Sequence, residues 1–193
     1  MKAAIALSAA LCIAFNVQAA SPEIPAGNVS DMASPLRFYN LHNHENLTLH
    51  HRRGQNVSEA ANIFMRDWRR GEQASMDSSL LDLLLDLQTA IKQHDPQMSV
   101  TFHVISGYRS PSTNENLRAK GGAQAKKSLH MQGQAIDIRV PGLSTEKLRD
   151  IASCLPGSGG VGYYEQDGFV HIDVGSKRYW PSRDYLKNLP CNA

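Results

Sequence analysis

Two histidines and one aspartate in the C-terminal half have the residue types of a hydrolytic metal site. His130 ends the segment 127–130, Asp137 follows seven positions later, and His171 lies within 169–173. Two imidazoles and one carboxylate suit a borderline metal such as zinc and leave a fourth position for water. Asp137 and His171 alternate with apolar neighbours, so on strands both side chains would point away from the core. The same spacing also fits polar residues that are merely hydrogen-bonded.

Four segments around these residues form an ordered series: 106–110, 128–137, 160–164 and 170–173. The second has the pattern S-x-H-x-x-G-x-A-x-D, which is the most specific of the four. The series closely resembles the MepK/YcbK-like group of zinc murein endopeptidases. This group belongs to the LAS metallopeptidases, named for lysostaphin, D-Ala-D-Ala metallopeptidase and sonic hedgehog.

The resemblance implies a hydrolase that cuts peptide cross-links of peptidoglycan and binds one zinc ion through His130, Asp137 and His171. It implies stem peptides as substrate, with the 3–3 cross-link between two meso-diaminopimelate residues as the favoured bond. It also implies an LAS/hedgehog-like fold over 36–193. Two alternatives stay open: a D,D-carboxypeptidase or dipeptidase that trims D-Ala, and a metal-containing peptidoglycan-binding module without catalysis.

The general base is harder to assign. Many LAS enzymes place an acidic or histidine base two or three residues before the third metal ligand, where this chain has Gly and Phe at 168–169. Asp173 is the predicted substitute, because positions i and i+2 of a strand share a face and His171 is its neighbour there. The alternative role for Asp173 is to orient a ligand. Glu165 and Asp167 are outside candidates for the base.

Arg109 and Ser128 are the predicted substrate-binding residues. The Arg109 guanidinium could hold a substrate carboxylate through paired hydrogen bonds, and stem peptides rich in diaminopimelate carry free carboxylates. An ion pair with Asp137 is the alternative for Arg109. Ser128 could hydrogen-bond the substrate or only shape its loop.

The N-terminus has the pattern of a secretory signal peptide. Lys2 supplies a positive charge, 3–17 is almost wholly apolar, and small residues follow. We therefore expect a signal peptide over 1–19, a Pro- and Gly-containing flexible leader over 20–35, and export to the periplasm.

Removal of such a signal peptide would leave two of the three cysteines. An even pair in an oxidising compartment predicts a disulfide between Cys154 and Cys191.

Composition supports a single folded domain. The 193 residues are 41% hydrophobic and 20% charged, with a formal net charge of +2. This near balance gives no case for a nucleic-acid partner. No internal apolar stretch approaches the ~20 residues of a membrane span. The sequence does not indicate an oligomeric state.

The pattern of elements predicts an α+β fold, with an N-terminal hairpin and helices packed on a mainly antiparallel sheet. Ser58, Asp77 and Ser144 are predicted helix caps, and the helix after Ser58 is expected to carry Trp68. Further elements are predicted as follows: strands over 36–41, 47–51, 99–106, 134–140, 159–164 and 168–174, and a helix over 111–119.

Two other clusters have open interpretations. Four histidines lie in one short stretch and could form a second metal site or an exposed hairpin: His42, His44, His50 and His51. Arg66, Arg69 and Arg70 could contact an anionic wall polymer or form a solvated surface. Tyr179 and Trp180 are predicted core or cleft-wall aromatics.

Overall fold

A seven-stranded mixed sheet forms the centre of the molecule in the computed structural model, which describes residues 34–122, 124–181, 184, 186, 189 and 191. The strand order is β2-β1-β3-β4-β6-β5-β7. The bounds of the strands are β1 Leu36–Asn40, β2 Asn46–Leu49, β3 Phe102–Ser106, β4 Ala135–Arg139, β5 Gly160–Tyr164, β6 Phe169–Asp173 and β7 Arg178–Trp180. The predicted signal peptide and the leader up to residue 33 lie outside the described residues.

Four of the six strand pairings are antiparallel, as predicted. They are β1–β2, β3–β4, β4–β6 and β5–β6, whereas β1–β3 and β5–β7 are parallel. Neither parallel pairing was predicted. β7 has only three residues, too few for an alternating pattern to indicate a strand.

The described part of the chain has four α-helices, and all but the third pack on the apolar face of this sheet. Their bounds are α1 Glu59–Phe64, α2 Ser78–His94, α3 Pro111–Ala119 and α4 Thr145–Cys154. The apolar stripe of α2 is buried against α4 and β1, with its leucines and Ile91 in one continuous core. Among the described residues, no helix combines the length and apolar character needed to cross a bilayer.

Side-chain caps start the helices where the sequence predicted them. Ser58, Asp77 and Ser144 each accept a hydrogen bond from a backbone N–H of the first turn. The helix after Ser58 is shorter than expected, however, because it ends at Phe64 and leaves Trp68 outside. A turn follows, in which the Asp67 carbonyl accepts from the N–H groups of two later residues.

The predicted disulfide is present. It joins Cys154, the last residue of α4, to Cys191 across a separation of 37 residues. The bond thereby ties the segment after β7 to the helical layer, and its loop includes all of β5, β6 and β7.

Candidate metal and active site

Strand register brings two of the three predicted ligands together, Asp137 and His171. β4 and β6 are antiparallel neighbours in which Asp137 pairs with His171. The flanking residues Ile136 and Ile138 are buried in the core, so Asp137 points to the opposite face. Its Oδ1 lies 2.9 Å from Nδ1 of His171.

His130 reaches the same point from a short 3-10 helix, Leu129–Gln132, that precedes β4. Its Nε2 lies 3.2 Å from Oδ1 of Asp137 and 3.1 Å from Nδ1 of His171. Gly133 ends this helix in the left-handed region, with φ +68°, where a side chain would meet the Ser75 carbonyl. These three are the one such group of His, Cys, Asp or Glu donors within the described residues.

Two hydrogen bonds fix which nitrogen of each imidazole faces the position between the three donors. Nδ1 of His130 lies 2.7 Å from the Gly107 carbonyl oxygen, which can only accept, so Nδ1 carries the hydrogen and Nε2 is left with its lone pair. Nε2 of His171 donates to Oδ2 of Asp173 at 3.0 Å, which leaves Nδ1 free to act as a ligand. The two lone pairs and one carboxylate oxygen therefore converge, as a cation requires.

Asp173 lies behind His171 and is completely buried. Its Oδ1 accepts from the backbone N–H groups of Gly160 and Gly175, both at 2.8 Å. Its Oδ2 accepts from His171 and, at 2.6 Å, from Arg178. Both oxygens are thus engaged with donors on the far side of His171, an arrangement that favours the orienting role over the predicted role as general base.

The pKa of each residue at this centre depends on burial and on its charged and hydrogen-bonding neighbours. Burial lowers the pKa of His130 and outweighs the attraction of Asp137. Burial opposes ionisation of Asp137, but the two imidazoles hold the pKa of its carboxyl well below the usual range. For His171, hydrogen bonds to Asp137 and Asp173 overcome burial and raise the pKa. An ionised carboxylate between two imidazoles is a donor set suited to zinc.

Arg109 is buried beside the carboxylate. Its Nη2 is 3.4 Å from Oδ2 of Asp137 and from Oγ of Ser106, and its Nη1 is 3.4 Å from the Asn114 side-chain oxygen. All three contacts are long, and Nε has no partner among the described residues. Arg109 thus makes the alternative ion pair and keeps donor capacity toward the adjoining cavity.

A cavity of about 350 Å³ opens over the three donors. Ser128 is buried in its wall and its side chain caps no helix N–H. The other polar and aromatic lining residues include Gln124, Lys127, Tyr164, Phe169, Arg178 and Trp180. All six predicted site residues except Asp173 line this cavity.

Trp180 forms one wall, as the cleft-wall interpretation predicted, whereas Tyr179 packs against the core. The Trp180 ring centre is 5.0 Å from that of His171, and its Nε1 donates to the Tyr164 hydroxyl at 3.0 Å. A Cβ on Gly162 would lie 2.3 Å from the indole. Glycine there lets the ring lie flat on β5.

The four clustered histidines have separate surroundings. His42 stacks on Trp68 with ring centres 3.9 Å apart, and His44 hydrogen-bonds Tyr39. His51 is buried against Asp82, and His50 is exposed.

Glu165 and Asp167 lie on the exposed β5–β6 turn and do not line the cavity. Sequence reasoning missed the Gly107 carbonyl, Tyr164 and Arg178. Tyr164 could have been found, since it shares a strand face with Gly162. The roles of Gly107 and Arg178 depend on contacts between distant segments and have no local signal.

An α+β fold with two imidazoles and a carboxylate converging beneath an open cavity has the layout of the LAS-type peptidases. A family model described as peptidoglycan L,D-endopeptidase MepK matches residues 29–180. The peptidoglycan L,D-endopeptidase MepK proteins of Escherichia coli (strain K12) and Shigella flexneri are each 40% identical over 149 residues, covering 75% of this chain and 79% of the relative. The probable peptidoglycan L,D-endopeptidase MepK of Haemophilus influenzae is 34% identical over 149 residues, covering 75% of this chain and 77% of the relative. The chain belongs to the MepK family of peptidoglycan endopeptidases.

Proposed function

We propose that this protein is a zinc-dependent murein endopeptidase in which His130, Asp137 and His171 hold one zinc ion. The observation that carries the proposal is the convergence of two imidazole lone pairs and a carboxylate oxygen, 2.9–3.2 Å apart, beneath an open cavity. Zinc held by three protein donors supplies Lewis-acid polarisation of a carbonyl and activation of water.

The surrounding residues hold the three ligands in position. Gly107 and Asp173 accept the outer N–H groups of the two imidazoles and so turn their inner nitrogens toward the metal position. We assign Asp173 this orienting role, because each of its oxygens already accepts two hydrogen bonds. Arg109 touches the carboxylate oxygen that is not directed at the imidazoles.

Three groups facing the cavity are suited to bind the substrate. Arg109 lines the cavity and makes only long contacts through its Nη atoms, so its guanidinium can donate to a stem-peptide carboxylate or to the developing oxyanion. The Tyr164 hydroxyl accepts from Trp180 and can therefore direct its own hydrogen to another acceptor. Ser128 also lines the cavity and adds a hydroxyl to it.

The bond that we propose is the 3–3 cross-link, which joins the L-centre of one meso-diaminopimelate to the D-centre of another. It agrees with the L,D-endopeptidase activity in the names of the relatives. The alternative enzymatic activity is removal of terminal D-Ala. The alternative without catalysis is a metal-containing module that only binds peptidoglycan. We further propose that 1–19 is a signal peptide, that 36–193 is the catalytic domain and that the enzyme acts in the periplasm.

A muropeptide digest tests this function. The protein would be incubated with defined 3–3 and 4–3 cross-linked dimers and with uncross-linked pentapeptides, with and without chelator and beside His130→Ala. We expect 3–3 dimers to become monomers, and chelator and substitution to abolish the reaction. Release of D-Ala alone would establish the carboxypeptidase, and no turnover by folded, zinc-loaded protein would leave the binding module.

A further inference from the structure

A second cavity of about 230 Å³ lies between α3 and the turn that follows α1. The helix and its C-cap residue Lys120 line one side. Thr113, Asn116, Leu117 and Lys120 are spaced i, i+3, i+4 and i+7 and therefore form one stripe. Arg69 and Arg70 line the opposite side. Asn114, which contacts Arg109 of the first cavity, lies on a different face of the same helix. We call the second cavity the α3 groove.

The α3 groove has an excess of positive charge. Of the three arginines in the turn, Arg66 is bound to Glu45 and Arg70 to Glu72. Within the part of the chain that the structure describes, no carboxylate pairs with Arg69 or with Lys120. The Arg69 guanidinium instead lies 4.2 Å from the ring centre of Trp68.

The surroundings of Arg69 disfavour its charge. Partial desolvation, together with the Arg109 guanidinium, lowers the pKa of Arg69 in spite of the attraction of Asp67, although the side chain stays exposed. Arg69 and Lys120 are both exposed on the groove. An anion that binds between them gains two cations that no carboxylate of the described residues already neutralises. The arginine fork and the Asn116 amide offer the donor geometry that a carboxylate accepts.

The α3 groove is connected to the active-site cavity through one buried residue. Asp67 accepts from the Arg69 backbone N–H at 3.0 Å through one oxygen. Through the other it accepts from the N–H and hydroxyl of Ser110, at 3.0 and 2.8 Å. Ser110 caps α3 and directly follows Arg109. Hydrogen bonds of Asp67 therefore link the turn that carries Arg69 to the residue that follows Arg109.

We propose that the α3 groove binds a carboxylate of the peptidoglycan polymer at a distance from the bond that is cleaved. This inference rests on the proposed function, since it names a second contact with the same substrate. An enzyme that binds a polymer network at two places stays bound to it longer. A short soluble fragment cannot reach both the active site and the groove, so it does not benefit from the second contact. The groove would thus favour intact sacculi over free dimers.

Binding to sacculi, measured with chelator present so that nothing is cleaved, tests this proposal. Arg69→Gln/Lys120→Gln would be compared with the full wild-type chain and with Arg37→Gln, which removes an exposed cation on β1. We expect the double variant to need roughly three- to tenfold more sacculi for half-maximal binding, and its difference from wild type to shrink in 0.5 M salt. Arg37→Gln should bind as wild type does.

Cleavage assays separate this proposal from the proposed function. We expect the ratio of activity on sacculi to activity on soluble 3–3 dimers to fall at least as far as binding does. Equal sacculus binding by wild type and the double variant would overturn the groove assignment, as would an equal loss on dimers and sacculi. If wild-type protein cleaves nothing but the double variant still binds sacculi more weakly, the groove stands and the endopeptidase proposal fails.

Discussion

Asp137 and His171 face each other across the β4–β6 pair, with Oδ1 and Nδ1 2.9 Å apart. Backbone hydrogen bonds on both strands fix the separation of these two donors. Only His130 comes from outside the sheet, and the Gly107 carbonyl holds its ring. The three donors are therefore held close together by the protein itself. Substitutions of a donor and of a residue that only orients one should then have different effects.

Asp137→Asn should lose the metal and the activity. The amide keeps the shape of the carboxylate but removes the charge that makes it a strong zinc ligand. We expect zinc content after dialysis to fall from one ion per chain to near zero, and kcat/KM to fall on the order of 1000-fold. His50→Gln, an exposed histidine outside the site, should keep both. Stoichiometric zinc in Asp137→Asn would show that this residue is not a ligand.

Asp173→Asn distinguishes an orienting residue from a general base. If Asp173 fixes the His171 ring, zinc affinity should fall roughly 10- to 100-fold, with most of kcat restored at saturating zinc. Competition with a chromophoric chelator gives the affinity, and turnover at increasing zinc gives kcat. Unchanged affinity with a collapsed kcat would instead identify Asp173 as the base.

Gly162→Ala should damage the cavity wall and leaves the three donor residues themselves unchanged, although Gly162 pairs with His171 in the sheet. The added methyl would lie 2.3 Å from the Trp180 indole and displace the ring that donates to Tyr164. We expect kcat/KM to fall roughly 10- to 100-fold while zinc content is unchanged. Gly157→Ala is the matched control, since its methyl meets Leu83 at an ordinary 3.8 Å. An equal effect of the two substitutions would refute the role of Trp180.

Asp67 should make stability depend on pH. Burial opposes its ionisation, but hydrogen bonds from Thr113 and Ser110 lower its pKa below the ordinary 3.8. Its contribution is therefore complete above that value and is lost as pH falls through the lower, folded-state pKa. Asp67→Asn should cost about 2 kcal/mol of unfolding free energy at pH 7 and less at pH 3.

Urea unfolding at both pH values measures this difference. Asp86→Asn is the control, because its partner Arg53 is exposed and surface pairs contribute little. We expect that control to change stability by at most about 0.5 kcal/mol at either pH. A cost for Asp67→Asn that is the same at pH 3 and pH 7 would contradict the role of its charge.

The sequence by itself determined most of the elements and picked out the three donors that the fold brings together. Alternation around Asp137 and His171, the caps at Ser58, Asp77 and Ser144, and the pattern over 128–137 are local, so they can be read without the fold. The count of cysteines left after removal of the predicted signal peptide indicated the pair that forms the disulfide. Local signals failed for β7, whose three residues are too few to show a period, and for Trp68, which a turn leaves outside α1.

Only the tertiary structure decided what each side chain does. Asp173 shares a strand face with His171, as predicted. Its four hydrogen-bond donors, which come from separate segments, place it behind the imidazole and away from the cavity. Arg69 and Arg70 are sequence neighbours with the same charge, yet only Arg70 has a carboxylate partner among the described residues. Hydrogen-bond partners and burial depend on segments far apart in the chain, and strand register and helix docking bring those segments together.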